Sequence, residues 1–239
     1  MRTSHISSFG LGAIVLLLVA FPAPATPVIV VQPVDSGVSS ISPSFSTFLA
    51  NEEAYATRIF AQIGLSIDFL PVFADSTLPP DYGTDPNEAS YFFNSSSFRP
   101  APEITVWFVG SIPYNGNNDR GLSEQNGPEI ASWIAANAVN DTLAHELGND
   151  LTDLQEISGT PSNLMEVGTD RNIPSSPNQI FVGGSDDQIT TGPGSQAQRM
   201  LGNTVYVQNV PEPPGAWLAV MAAAGIAVLS VFSRRPFRT

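Results

Sequence analysis

"NDTLAHELGNDLTDLQ", residues 140–155, decides how this chain is read. Asn140 or Asp141 suits the start of a helix, because a short polar side chain can accept hydrogen bonds from the first backbone N–H groups. Leu143, Leu147, Leu151 and Leu154 recur at three- and four-residue spacing and so share one face. His145 and Asn149 lie together on the other side, one turn apart, with Glu146 next to His145. The spacing predicts a helix that buries its leucines and turns an imidazole, a carboxylate and an amide toward a cleft.

Upstream, Ser46 or Thr47 can cap a helix in which Phe48, Tyr55, Ile59 and Ile63 share a face, and Gly64 ends it. "LSIDFLPV" (65–72) follows as a strand that Pro71 limits. "EITVWFV" (103–109) is apolar on both faces and reads as a buried central strand. "EIASWIAANA" (129–138) reads as a further strand at the sheet's edge. "STLPPDYGTDPNEAS" (76–90) and "GTPSNLMEVGTDRNIPSSPNQ" (159–179) read as surface loops. The oxygen-rich "NGNNDRG" (115–121) lacks the spaced bidentate glutamate of calcium loops and reads as a solvated turn. The order predicts an α+β fold with a mixed sheet and a long "HE" helix. There is no internal repeat.

A catalytic zinc takes three protein ligands and keeps one position open for water. Two histidines at i and i+4 reach one metal from one helical face, and the glutamate between them takes a proton from the metal-bound water. "DTLAHELG" (141–148), with "SNLM" (162–165) downstream, resembles the metzincin type of zincin-like metallopeptidase. The resemblance implies a zincin-like fold over roughly Ser46–Leu201, with His145 as first ligand, Glu146 as general base and Met165 in the methionine turn. It also sets Asn149 at the second ligand position, Thr152 on the turn glycine and Gln155 at the third ligand position.

Those departures bear on the chemistry. His145 is the only histidine beyond His5, so no shift of register restores a second imidazole. An amide oxygen is a weak zinc ligand. Asp150, Asp153, Glu156 and Glu166 carry oxygens, but Asp150 turns about 100° away from Asn149 around the helix. A conventional zinc centre is not encoded, and zinc peptidase activity is expected to be lost or impaired.

The two ends of the chain address it. Residues 1–25 open with Arg2, run apolar from Gly10 to Phe21 and finish in Ala23-x-Ala25, the pattern of a cleaved signal peptide. Residues 210–239 join Val210-Pro211-Glu212-Pro213 to an uncharged run, Gly215–Ser233, followed by Arg234, Arg235 and Arg238. That run has about the 20 residues of a single transmembrane helix, with its arginines on the cytoplasmic side. The tripartite order resembles the PEP-CTERM sorting signal of Gram-negative bacteria. The resemblance implies signal peptidase and an exosortase as processing enzymes, an inner-membrane precursor, and delivery to the cell envelope or outside the cell.

Between these ends, residues 26–209 amount to one domain. Of the chain's 22 acidic residues all but Glu212 fall there, against only Arg58, Arg99, Arg120, Arg171 and Arg199, and lysine is absent. Such a charge repels phosphate backbones, so nucleic acid is excluded as a partner. With no cysteine there is neither a disulfide nor a thiolate site. Two classes of function remain: a binding or structural surface protein with an unnamed partner, or an atypical metal-dependent endopeptidase.

Overall fold

Valine-rich Thr26–Asp35 forms β1, the strand about which the sheet assembles. A single helical turn, α1 (Val38–Ile41), precedes the longer α2 (Phe45–Phe60). Next come β2 (Ser66–Phe69), β3 (Phe73–Ala74), α3 (Glu88–Phe93) and β4 (Glu103–Val109). The hairpin of β5 (Gly121–Asn126) and β6 (Glu129–Ala135) leads into α4 (Thr142–Leu151). Helix α5 (Gln196–Gly202) and strand β7 (Gln208–Val210) complete the order. The computed structural model describes residues 25–41, 44–82, 88–113, 117–154, 156–168, 171–172, 174–182 and 195–210.

The main sheet order is β2-β1-β4-β6-β5, with β3 and β7 also paired to β1. Strands β1, β2, β4 and β6 are parallel, while β5 runs antiparallel to β6 at the edge. The sheet is therefore mixed, as the sequence implies. The β5–β6 turn has two residues, and Gly127 supplies the positive φ of 65° that such tight hairpins need at their first central position.

Strand β4 is apolar from Val106 to Val109 because both its faces are covered. Ile104, Val106 and Phe108 join the core beneath α2 and α4, with Ile29 and Val31 of β1 and Leu143 and Leu147 of α4. Trp107 and Val109 face the other way, into a second core with Trp133, Phe92, Phe93 and Tyr82. There Trp107 and Trp133 stack at 5.0 Å between centroids, and Tyr82 stacks on Trp133 at 4.4 Å. Period-two alternation on a doubly buried strand yields the unbroken hydrophobic run.

Several expectations are corrected. Helix α2 starts from Ser44 rather than from Ser46 or Thr47, although Gly64, in a left-handed conformation, ends its final 3-10 turn. Its buried stripe is Phe45, Leu49, Ala56, Ile59 and Phe60, with Phe48, Tyr55 and Ile63 only partly buried at its flank. Strand β6 is interior, because β5, too polar to announce itself as a strand, covers its outer side. The "HE" helix is not long: α4 stops at Leu151. Leu154 is consequently off the core face, 38% exposed and at φ 59°. Residues 76–90 end in α3 rather than in continuous loop. Among the described residues no helix is long and apolar enough to cross a membrane. The segment Gly215–Ser233 lies outside the described residues, as do residues 1–24.

Candidate metal centre beside the edge strand

Every residue of α4 is buried, on its polar side as well as its leucine side. The polar side is covered by β5, and between the two opens a cleft of about 690 Å³ lined by Ser123, His145, Glu146, Asn149, Glu156 and Arg171, among others. Close approach of helix and edge strand is possible because Gly121 has no side chain: a Cβ there would run into the Glu146 carboxylate.

His145 is only 3% exposed and both ring nitrogens are engaged. Nδ1 lies 2.6 Å from the Leu164 carbonyl oxygen, and Nε2 lies 3.1 Å from Glu156 Oε1. A carbonyl can only accept, so Nδ1 carries the proton and donates it, which fixes the ring's orientation. Glu156 feels burial, which opposes its charge. The His145 ring and the Asn149 amide outweigh that and hold its carboxyl below the usual range.

The neighbouring polar groups form a chain across the sheet edge. Glu146 Oε2 accepts from Ser123 Oγ at 2.8 Å and from Asn149 Nδ2 at 3.2 Å. Ser123 and Ser132 are directly opposed across the β5–β6 pair, their hydroxyls 2.7 Å apart. Ser132 reaches Asp150 at 3.0 and 3.1 Å. Burial pushes the fully enclosed Asp150 carboxyl well above the usual range. Asn149, 6% exposed, leaves its carbonyl oxygen buried without a hydrogen-bond partner.

At the start of α4 a second polar group sits under the cleft. Glu52 from α2 accepts the Leu143 N–H at 2.9 Å, capping the helix from a neighbouring element. Asp141 and Arg171 pair beside it at 2.7 Å, both almost wholly buried.

The sequence-derived residues are thus distributed as follows. His145, Glu146 and Asn149 share the cleft. Met165 is completely buried, and its sulfur packs on Gly148, which immediately precedes Asn149 on α4. Val210 ends β7 and is 48% exposed. Gln155, Pro211, Glu212, Pro213, Arg234 and Arg235 lie outside the described residues. Of the four carboxylates with oxygens to offer, Asp150 points into the sheet and Asp153 is exposed in the turn. Glu166 is consumed by Gly159 and Thr160. Only Glu156 reaches His145. Ser123, Leu164 and Arg171 are not legible from the sequence, since their roles depend on pairing across long sequence distances.

Among the described residues no three His, Cys, Asp or Glu side chains converge as a ready-made metal cluster. His145 Nε2 meets the Glu156 carboxylate, and Asn149 turns its amide NH2 toward the Glu146 and Glu156 carboxylates. One imidazole with one adjoining carboxylate falls short of the three ligands a catalytic zinc takes, so the described residues do not make a conventional zinc centre.

No family model matches this chain, and no curated protein matches it. Among solved structures it is similar to metalloproteinase-II from Bacteroides fragilis, with a TM-score of 0.48 and 14% identity. The match covers 76% of this chain and 54% of that one, so this chain spans about half the length of that protein.

Proposed function

We propose that this is an exported, exosortase-sorted surface or matrix protein built on a zincin-like scaffold, with zinc peptidase activity lost or impaired and a binding role in its place. One observation carries the reading: the cleft between α4 and β5 keeps His145 and Glu146 but contains a single imidazole, with Asn149 where a second would stand. Removing histidine ligands weakens the hold on the ion that activates water. The acidic, lysine-free domain and the two end segments support an exported protein maturing by signal peptidase and exosortase cleavage.

The test is a cleavage assay on the full chain with unstructured protein substrates and added zinc, against Glu146→Ala. Equal, background cleavage by both is expected. Chelator-sensitive cleavage that disappears in Glu146→Ala would overturn it and establish the second reading, an atypical metal-dependent endopeptidase. That second reading is favoured by one feature, the retention of Glu146 in the cleft beside His145.

A further inference from the structure

Strand β1 carries two neighbours in succession along one edge, and the join between them is irregular. Val28 to Val31 pair with Ser66 to Phe69 of β2, while Val34 and Asp35 pair with Phe73 and Ala74 of β3. From Val31 to Val34 the central strand advances three residues, whereas the outer chain advances four, from Phe69 to Phe73. The extra residue makes a bulge at Leu70–Val72, where Pro71 has no N–H to lend to a ladder. Gln32 holds the bulge by donating from Nε2 to the Pro71 carbonyl at 2.9 Å, and the Leu70 N–H reaches the Val31 carbonyl at 2.9 Å.

Between this bulge and the first turns of α2 lies a groove of about 580 Å³, lined by Phe45, Leu49, Phe69 and Val72 together with Asp35 and Glu53. It shares no lining residue with the cleft between α4 and β5. Asp35 is only 5% exposed. Its Oδ1 accepts from the Gly37 N–H at 3.0 Å and the Ser39 N–H at 3.2 Å, and among the described residues no hydrogen bond reaches its Oδ2. Glu53 is partly buried, and among the described residues neither a hydrogen bond nor an ion pair reaches its carboxylate. Burial alone acts on that carboxyl and pushes it upward.

Two carboxylates drawn out of water against apolar walls favour a counter-charge. Arg171 is taken by Asp141, the Arg99 guanidinium lies over the Phe73 ring at 5.8 Å from its centroid, and the chain has no lysine. The groove's size falls within the range of small-ligand pockets, roughly 300–1,000 Å³, which are mostly apolar with a few placed polar groups. Beside it the exposed large apolar residues are Val72 and Phe73, too few for a protein interface, which buries on the order of 800 Å² per partner.

We infer that this groove binds a small organic cation, an amine whose hydrocarbon body lies on Phe45, Leu49, Phe69 and Val72 and whose ammonium is met by Asp35 and Glu53. The assignment does not depend on the scaffold reading above. A second copy of this lysine-free chain has no ammonium side chain to offer in the amine's place.

Calorimetric titration of phenethylamine hydrochloride into the full chain tests this. Phenethyl alcohol serves as the uncharged body of the same shape, and Nα-acetyl-lysine amide as a protein-borne ammonium. Saturable binding of the amine is expected, at least about fivefold tighter than either comparison compound and about fivefold weaker in Glu53→Gln and in Asp35→Asn, a factor equivalent to about 1 kcal/mol. Glu53→Gln alters a side chain that the fold does not bond, so it should fold as the wild type does, and circular dichroism checks both variants. No binding of the amine, equal binding of the alcohol, or affinity undiminished in Glu53→Gln overturns the site. Tighter binding of the lysine derivative overturns the small amine as occupant in favour of a protein side chain. A loss seen only in Glu156→Gln overturns the assignment by moving the amine to the cleft between α4 and β5.

Discussion

His145 donates from Nδ1 to the Leu164 carbonyl at 2.6 Å, so the imidazole of α4 is oriented by the residue immediately before Met165. Two short stretches of sequence, separated by a loop, thereby act as one unit: the helix supplies the ring and the loop sets its tautomer. The cleft's chemistry then depends on what stands one turn further along, at Asn149.

Asn149→His is expected to raise zinc affinity over the wild type by about tenfold or more, because two imidazoles would then converge from one preformed helical face. Peptidase activity should stay weak, since a third ligand and an open water position are still needed around the metal. Parallel zinc titrations of the two proteins measure the gain. Equal affinities would mean that positions 145 and 149 do not share a metal.

Replacing Pro211-Glu212-Pro213 by three alanines should leave export intact and block C-terminal processing. The uncleaved protein should accumulate in the inner-membrane fraction. Fractionation and blotting distinguish the outcomes: normal maturation of the triple variant would remove the sorting reading, as an ordinary anchor is indifferent to those residues.

Gly148→Ala should destabilise the fold by about 1–3 kcal/mol, as overpacking does in a filled core. Its Cβ would press into the Met165 sulfur and stand 3.3 Å from the Met200 methyl. Gly168→Ala, which meets nothing within 4 Å, serves as the control and should change stability by less than about 0.5 kcal/mol. Urea unfolding of both variants gives the comparison.

Glu52 predicts a pH dependence. Burial, partly opposed by the Leu143 N–H and reinforced by Asp141, pushes its carboxyl from 4.5 up to about 8. An acid whose folded value is raised favours the protonated folded state. Its contribution is therefore complete below about pH 4.5 and is lost as pH rises through about 8. Each tenfold change in proton affinity is worth about 1.4 kcal/mol, so the loss amounts to a few kcal/mol. Glu52→Gln keeps an acceptor for Leu143 and should flatten the stability profile across that window. Unfolding curves of wild type and variant between pH 5 and 9 check it, and parallel profiles would refute it.

Much of the frame is legible in the sequence because its signals are local. The doubly apolar run of β4, the leucine spacing of α4 and the glycine ending α2 each declare themselves within a few residues. Strand β1 escapes such a reading because its valines come soon after the apolar run of residues 10–21 and merge with it in a reading by hydropathy. Strand β5 escapes it because "GLSEQN" is polar; the Asn126-Gly127 dipeptide is the signal that could have found it. In the site, His145, Glu146 and Asn149 follow from helical periodicity. Glu156 does not, because its approach to His145 depends on left-handed backbone at Asp153 and Leu154, which neither residue type advertises.

The ladder joining β7 to β1 has a mechanical consequence. Thr26 pairs with Val210, Pro27 with Asn209 and Val28 with Gln208, so the last paired residue directly precedes Pro211, whose missing N–H cannot extend the ladder. Tension applied to the chain beyond Val210 would load these three pairs one after another, starting at Thr26. They would open like a zip before force reached the parallel pairing of β1 with β4. A tether at that end would act as a fuse, yielding at a short strand while the cleft between α4 and β5 kept its shape.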